Sequence, residues 1–206
     1  MKDKTFRLAT IFGIMEPVFY FLLITTLSLM RPDYKLSRGY ISELSGRDSP
    51  HRHVTSLSSF ILLGMSIILV GSALHEVEKN YPLSKTSLTL LTITGASLIF
   101  LGIIPADGQK TTSVGKYHRI LTLPTALAMP GAMLVNSNIF SKDKRWGKSW
   151  ANFSEATAWA TIILGWLILK NKHTSKVGLV QRVAFAPSLL WTMAISNKMR
   201  QLQDNH

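Results

Sequence analysis

The sequence predicts an all-α fold: a polytopic membrane bundle of six transmembrane helices. Three observations predict it. Six apolar runs approach the ~20 residues that a helix needs to cross a hydrocarbon core of about 30 Å. Charged residues make up only 17% of the 206 and fall in short blocks between those runs. None of the runs alternates apolar with polar residues as a barrel strand does, and helices are the remaining way to satisfy a backbone in lipid.

The first run covers about residues 8–30 and stops at Arg31-Pro32-Asp33. It is too long for the apolar region of a signal peptide, and no small-x-small site follows, so it reads as a spanning helix. The second covers about 54–74 and ends at His75-Glu76; the third covers about 86–104 and ends at Pro105. Gly64 and Gly71 share one face of the second run, Gly95 and Gly102 one face of the third, as small residues do where helices approach closely in lipid. The fourth run, about 117–139, holds Pro124 and Pro130, which predict kinks. The fifth, about 150–169, begins at Trp150, and Trp146 and Trp150 read as interface anchors. Asn152, Trp159 and Trp166 share a face of it by their sevenfold spacing and read as helix packing. The sixth, about 178–197, carries Pro187 and leads into a polar tail. The whole chain reads as one six-helix domain with both termini on one side. Basic residues divide almost evenly between the two faces, so charge leaves the orientation open, with a lean to termini in the cytoplasm.

The net charge of +12 would suggest nucleic acid in a soluble protein. Here the basic residues flank apolar runs, where they reach anionic lipid headgroups, so the expected partners are membrane lipids and not nucleic acid. Protein partners are not defined. The absence of cysteine excludes disulfides, thiol catalysis and cysteine metal sites. The expected location is the cell membrane.

Chemistry concentrates in two stretches. The first loop reads Tyr40-Ile-Ser-Glu-Leu-Ser-Gly-Arg-Asp-Ser-Pro-His-Arg-His53. The third run ends in Gly102-Ile-Ile-Pro-Ala-Asp107, and Tyr117-His118 opens the fourth. Six helices put both stretches at the same membrane face, where Glu43, His51, Asp107 and His118 are candidates for one catalytic site. Imidazole and carboxylate groups can serve as general acid and base, with Ser42 or Ser49 as nucleophile. His51, Asp107 and His118 are also a ligand set suited to a divalent metal. The alternative is local: Ser-Glu and Ser-Pro before a helix are ordinary caps and turns, and Asp107 follows a helix stop. His53, His75, His173 and His206 read as solvated. Glu16 stands apart. It lies about 12 Å into the first run at 1.5 Å per residue, beside Pro17. An intramembrane ionisable residue is a functional candidate by default; the other reading is a protonated carboxyl hydrogen-bonded to a neighbouring helix.

Tyr40-Ile-Ser-Glu-Leu, Ser49-Pro50-His51, Gly102-Ile-Ile-Pro105-Ala-Asp107 and His118 together resemble the pattern of a prokaryotic membrane family, domain of unknown function 998. The likeness covers roughly residues 10–195. It implies a multi-pass membrane protein and points to Glu43, His51, Asp107 and His118, but supplies no reaction. Ser45 stands where the family pattern leads one to expect glycine, which displaces the turn to Gly46. Zinc-dependent membrane hydrolases such as the alkaline ceramidases use Ser, Asp and three His; this chain lacks their late histidine pair, and its sixth run has no histidine.

Three functions fit these residues. One is an enzyme acting at the membrane face on a lipid or lipid-linked substrate. The second is a proton-coupled small-molecule transporter using Glu16, for which the second and third runs offer mainly Ser, Thr and Gly as a polar path. The third is a non-catalytic scaffold.

Overall fold

The computed structural model describes residues 3–107 and 112–204, and all the regular structure among them is helical. Helix α1 covers Asp3–Leu29. A single 3₁₀ turn, Ile41–Ser45, interrupts the loop that follows. The second crossing is composite: α2 (Arg52–Thr55), a π-helical turn (Ser56–Ile61) and α3 (Leu62–Glu78) run on without a break. The rest are α4 (Ser84–Ile103), α5 (Ser113–Lys142), α6 (Lys148–Asn171) and α7 (Val177–Asp204). Among the described residues, six helical segments are long and apolar enough to span a membrane.

All six overrun their apolar runs. Lys, Arg, Gln and Ser tolerate the helix well, so the backbone continues past the point where hydropathy falls. The overrun shifts Glu16. It lies thirteen residues into α1, about 20 Å along a helix of about 40 Å, nearer the centre than its place in the apolar run implies. α5 continues through Pro124 and Pro130, and α7 through Pro187.

Each helix packs on the next in the chain, and α7 returns to α1, so the six close into a ring. α3 and α7 also touch, which makes α1, α3 and α7 a three-helix seam. Tyr20 and Ile24 on α1, Leu74 on α3 and Ile195 on α7 are almost wholly buried, while Trp191 on α7 reaches α6, where its Nε1–H donates to the Ser154 hydroxyl at 2.9 Å. Outward faces carry Leu8, Phe12, Met15, Leu127, Trp159, Ile163 and Trp166, as lipid contact requires. Trp159 and Trp166 therefore do not pack between helices. Trp166 faces outward beneath the Lys170 ammonium, which sits 4.2 Å from its ring centroid. Trp146 corrects the sequence reading in the other direction. It is buried and stacks on Phe140 with ring centroids 4.0 Å apart, because the turn at Gly147, whose φ is +79°, folds it under α5. That backbone conformation favours glycine.

The glycines of the second and third runs face each other. A Cβ on Gly64 would lie 2.4 Å from the Gly95 carbonyl oxygen, and one on Gly95 would lie 2.4 Å from the Gly64 carbonyl oxygen. The two backbones are in contact there, so no side chain can yield. Gly64→Ala is expected to destabilise the protein by about 2 kcal/mol through overpacking. Gly165→Ala, with nothing within 4 Å of the added carbon, is the control. Thermal unfolding in detergent compares them; equal midpoints would contradict the close approach.

Candidate functional site

The first and third loops do meet. A Cβ on Gly46 would lie 3.4 Å from the Ala106 carbonyl oxygen, so the Glu43–Gly46 turn packs on the backbone just before Asp107. Local partners then occupy the side chains of Ser49, Asp107 and His118. The Ser49 backbone N–H donates to Gly46 O at 3.1 Å, and the Ser49 hydroxyl accepts from the His51 N–H at 3.4 Å. Ser42 is half-buried, and its carbonyl accepts from the Ser45 hydroxyl at 2.8 Å. His118 is buried, with Nδ1 2.9 Å from Ile104 O. Asp107 accepts from the Thr112 hydroxyl at 2.5 Å, and that hydroxyl in turn accepts from the Gly115 N–H and caps α5. His51 is half-buried, and its carbonyl accepts from the Thr55 N–H at the start of α2. Glu43 is exposed, and its carbonyl accepts from Arg31 at 3.1 Å. Burial, then the Glu43 charge, pushes the Tyr40 phenol above its usual range, so it is a neutral donor at pH 7.

Among the described residues, no three His, Cys, Asp or Glu side chains are grouped to hold a metal ion. The ligand set His51, Asp107 and His118 is therefore not assembled: the His118 ring turns to a carbonyl and Asp107 to a hydroxyl. Of the other histidines, His53 and His173 are exposed. His75 is not solvated as expected; its Nδ1 lies 2.5 Å from the Ser84 hydroxyl. His206 lies outside the described residues.

Glu16 faces the bundle. It is 5% exposed, and neither carboxyl oxygen has a hydrogen-bond partner. The alternative of a carboxyl bonded to a neighbouring helix is thus not formed. Four hydroxyls on the first, second and sixth crossings are also buried and unpartnered: Tyr20 on α1, Ser59 in the π-helical turn, Ser66 on α3 and Ser196 on α7. Close packing at Gly13 sets the register. A Cβ there would meet Val70 on α3 and Ser196 on α7. α1 runs against α3, so one turn further along, Glu16 comes level with Ser66. Pro17 has no N–H, so the Gly13 carbonyl loses its helical donor at this same level. The π-helical turn loosens the ladder of the second crossing where it packs mainly on α4 and also touches α1, a distortion common at functional sites. Sequence reading found Glu16. It missed the hydroxyls, which look like ordinary helix serines until the register is known.

It also missed Arg182, although an arginine inside an apolar run is itself a signal. Its Nη1 donates to the carbonyls of Leu36, Gly39 and Gly178 at 2.9, 3.1 and 2.9 Å. Its Nη2 donates to the Ser28 and Tyr34 hydroxyls at 3.0 and 2.7 Å. The guanidinium thus ties α1, the first loop and α7 into one body at the mouth of the seam.

At the opposite face, Glu78 is fully buried with both oxygens unpartnered. Beside it Arg145 bridges Val77 O at 2.8 Å and Asp143 at 2.7 Å. Burial pushes the Asp143 carboxyl up, but the Arg145 hydrogen bonds and charge outweigh it and hold the group below its ordinary value of 3.8. Because the folded value is the lower one, the pairing stabilises fully above the unfolded value and fades as pH falls through the folded value. Asp143→Asn is expected to cost about 2 kcal/mol at pH 7, with the difference closing toward pH 3. Thermal unfolding across that range tests it; a gap that widens on acidification would reverse the sign.

No curated protein and no solved structure matches the chain. The model of one family, described as protein of unknown function (DUF998), matches residues 15–197, and the protein belongs to that family.

Proposed function

We propose that this protein is a proton-coupled transporter in which Glu16 is the group that takes up and releases the proton. One observation carries the reading: a carboxyl near the middle of a spanning helix, buried in the bundle, with neither oxygen partnered. A carboxyl there costs stability unless something else uses it. The unpartnered hydroxyls of Tyr20, Ser59, Ser66 and Ser196 supply acceptors and donors on the first, second and sixth crossings, the inventory that a proton or polar solute would use in passing. The lost hydrogen bond at Pro17 and the π-helical turn at Ser56–Ile61 support it, since such local distortions of a continuous helix are frequent at functional sites.

The test is proton movement into proteoliposomes carrying an internal pH dye, driven by an imposed pH gradient. Wild type is expected to acidify the lumen faster than empty vesicles, and Glu16→Gln, equal in shape but unable to ionise, to fall to the empty-vesicle rate. Equal rates for wild type and variant would remove the reading. A membrane-face enzyme acting on a lipid or lipid-linked substrate is the second reading, supported by the packing of Gly46 on Ala106, which brings Glu43 and Asp107 to one face. Changed lipid extracts in cells carrying Glu43→Gln or Asp107→Asn, with proton flux intact, would favour it.

A further inference from the structure

We infer that the groove between the first turn of α1 and the last turn of α7 binds the phosphodiester headgroup of an anionic membrane lipid. Lys4, Arg7, Arg200, Gln203 and Asp204 line a cavity of about 430 Å³ there. That volume falls within the roughly 300–1,000 Å³ usual for small-molecule sites. Three cations face one carboxylate, and Lys4, Arg7 and Arg200 have no carboxylate within ion-pair distance among the described residues. Cations held together without a counter-ion repel one another, and an anion between them relieves that repulsion. Arg and Lys are the side chains that bind phosphate oxygens by charge-assisted hydrogen bonds.

The position on α1 selects a lipid over a free anion. Lys4 and Leu8 are one turn apart and share a face of the helix. Below Lys4 runs an outward apolar stripe, with Leu8 54%, Phe12 41% and Met15 60% exposed. A molecule with its phosphate in the groove can lay its acyl chains along this stripe. A phosphocholine lipid fits the stripe equally well but brings its own cation to a basic wall. The excess of positive charge therefore favours a headgroup of net negative charge.

Thermal unfolding of the full-length protein in detergent reads the binding, titrated with short-chain phosphatidylglycerol, with phosphatidylcholine of the same chains, and with inorganic phosphate. The anionic lipid is expected to raise the wild-type midpoint in a saturable way, and the other two to leave it unchanged. The triple variant Lys4→Gln, Arg7→Gln, Arg200→Gln is expected to weaken the apparent affinity about 100-fold, from about fivefold per cation. The control Lys142→Gln, Lys144→Gln, Lys148→Gln removes the same charge from the same face and is expected to bind as wild type does. Equal loss in both triple variants would overturn the proposal in favour of diffuse surface charge. Stabilisation by inorganic phosphate as strong as by the lipid would overturn the lipid assignment. If the triple variant does not fold, Arg200→Gln alone decides, with about a fivefold loss expected and no loss contradicting the site.

Discussion

Arg182→Met is expected to destabilise the protein by roughly 3 kcal/mol and to free the first loop. The guanidinium is buried and makes five hydrogen bonds, three to carbonyls and two to hydroxyls. Methionine replaces its volume but none of its donors, leaving the Leu36 and Gly39 carbonyls without the arginine where water reaches them poorly. Gly178 cannot compensate by taking a side chain: a Cβ there would lie 2.4 Å from Gly39 O. Lysine keeps the charge but loses the planar fork, so Arg182→Lys is expected to recover only part of the loss. Two measurements check this. The thermal midpoint should fall, and trypsin should cut faster at the exposed Lys35 and Arg38 that the arginine holds down through neighbouring carbonyls. An unchanged midpoint with unchanged cleavage would show that the loop is held by other contacts, such as Gln181 Oε1 accepting from the Ile41 N–H at 2.8 Å.

Glu16→Met is expected to do the opposite: to raise stability by about 1–3 kcal/mol while stopping proton movement. A buried acceptor with no partner is a net cost to the fold, and an apolar side chain of similar length removes that cost. Tyr20 and Ser66 keep their unpartnered hydroxyls in either protein, so the comparison isolates the carboxyl. Detergent unfolding and vesicle flux on the same preparation give both readouts. A lower midpoint would mean that the carboxyl holds the helices together, and Glu16 would then be a structural residue.

The loops show how far a single sequence reaches. Glu43, His51, Asp107 and His118 form a recognisable pattern in the sequence, and all four positions fall within the span that the family model matches. Two of the four use their side chains on partners close in the chain, Thr112 for Asp107 and Ile104 O for His118. Polar residues at helix mouths have two employments, capping and chemistry, and the same residue types suit both. Arg182 illustrates the converse. Its place inside an apolar run marks it, but its partners at Leu36 and Gly39 lie 146 and 143 residues away, so no local pattern shows what it binds. Trp146 departs from its expected place for a related reason: tryptophan near a run end is usual at a membrane interface, but the turn at Gly147 folds this one inward.

The sequence by itself determined the six spans, their order, and the small-residue faces of the second run (Gly64, Gly71) and the third (Gly95, Gly102). Hydropathy and residue size are properties of each segment alone, and lipid leaves a polar backbone few other structures. Tertiary structure decided the ring closure of α7 on α1, the level at which Gly13 packs on Val70 and Ser196, and which polar groups remain without partners. Those depend on the register and rotation of helices far apart in the chain. Lipid is as apolar as the helix surfaces, so hydrophobicity cannot set that register; close packing at Gly13 and the hydrogen bonds of Arg182 do.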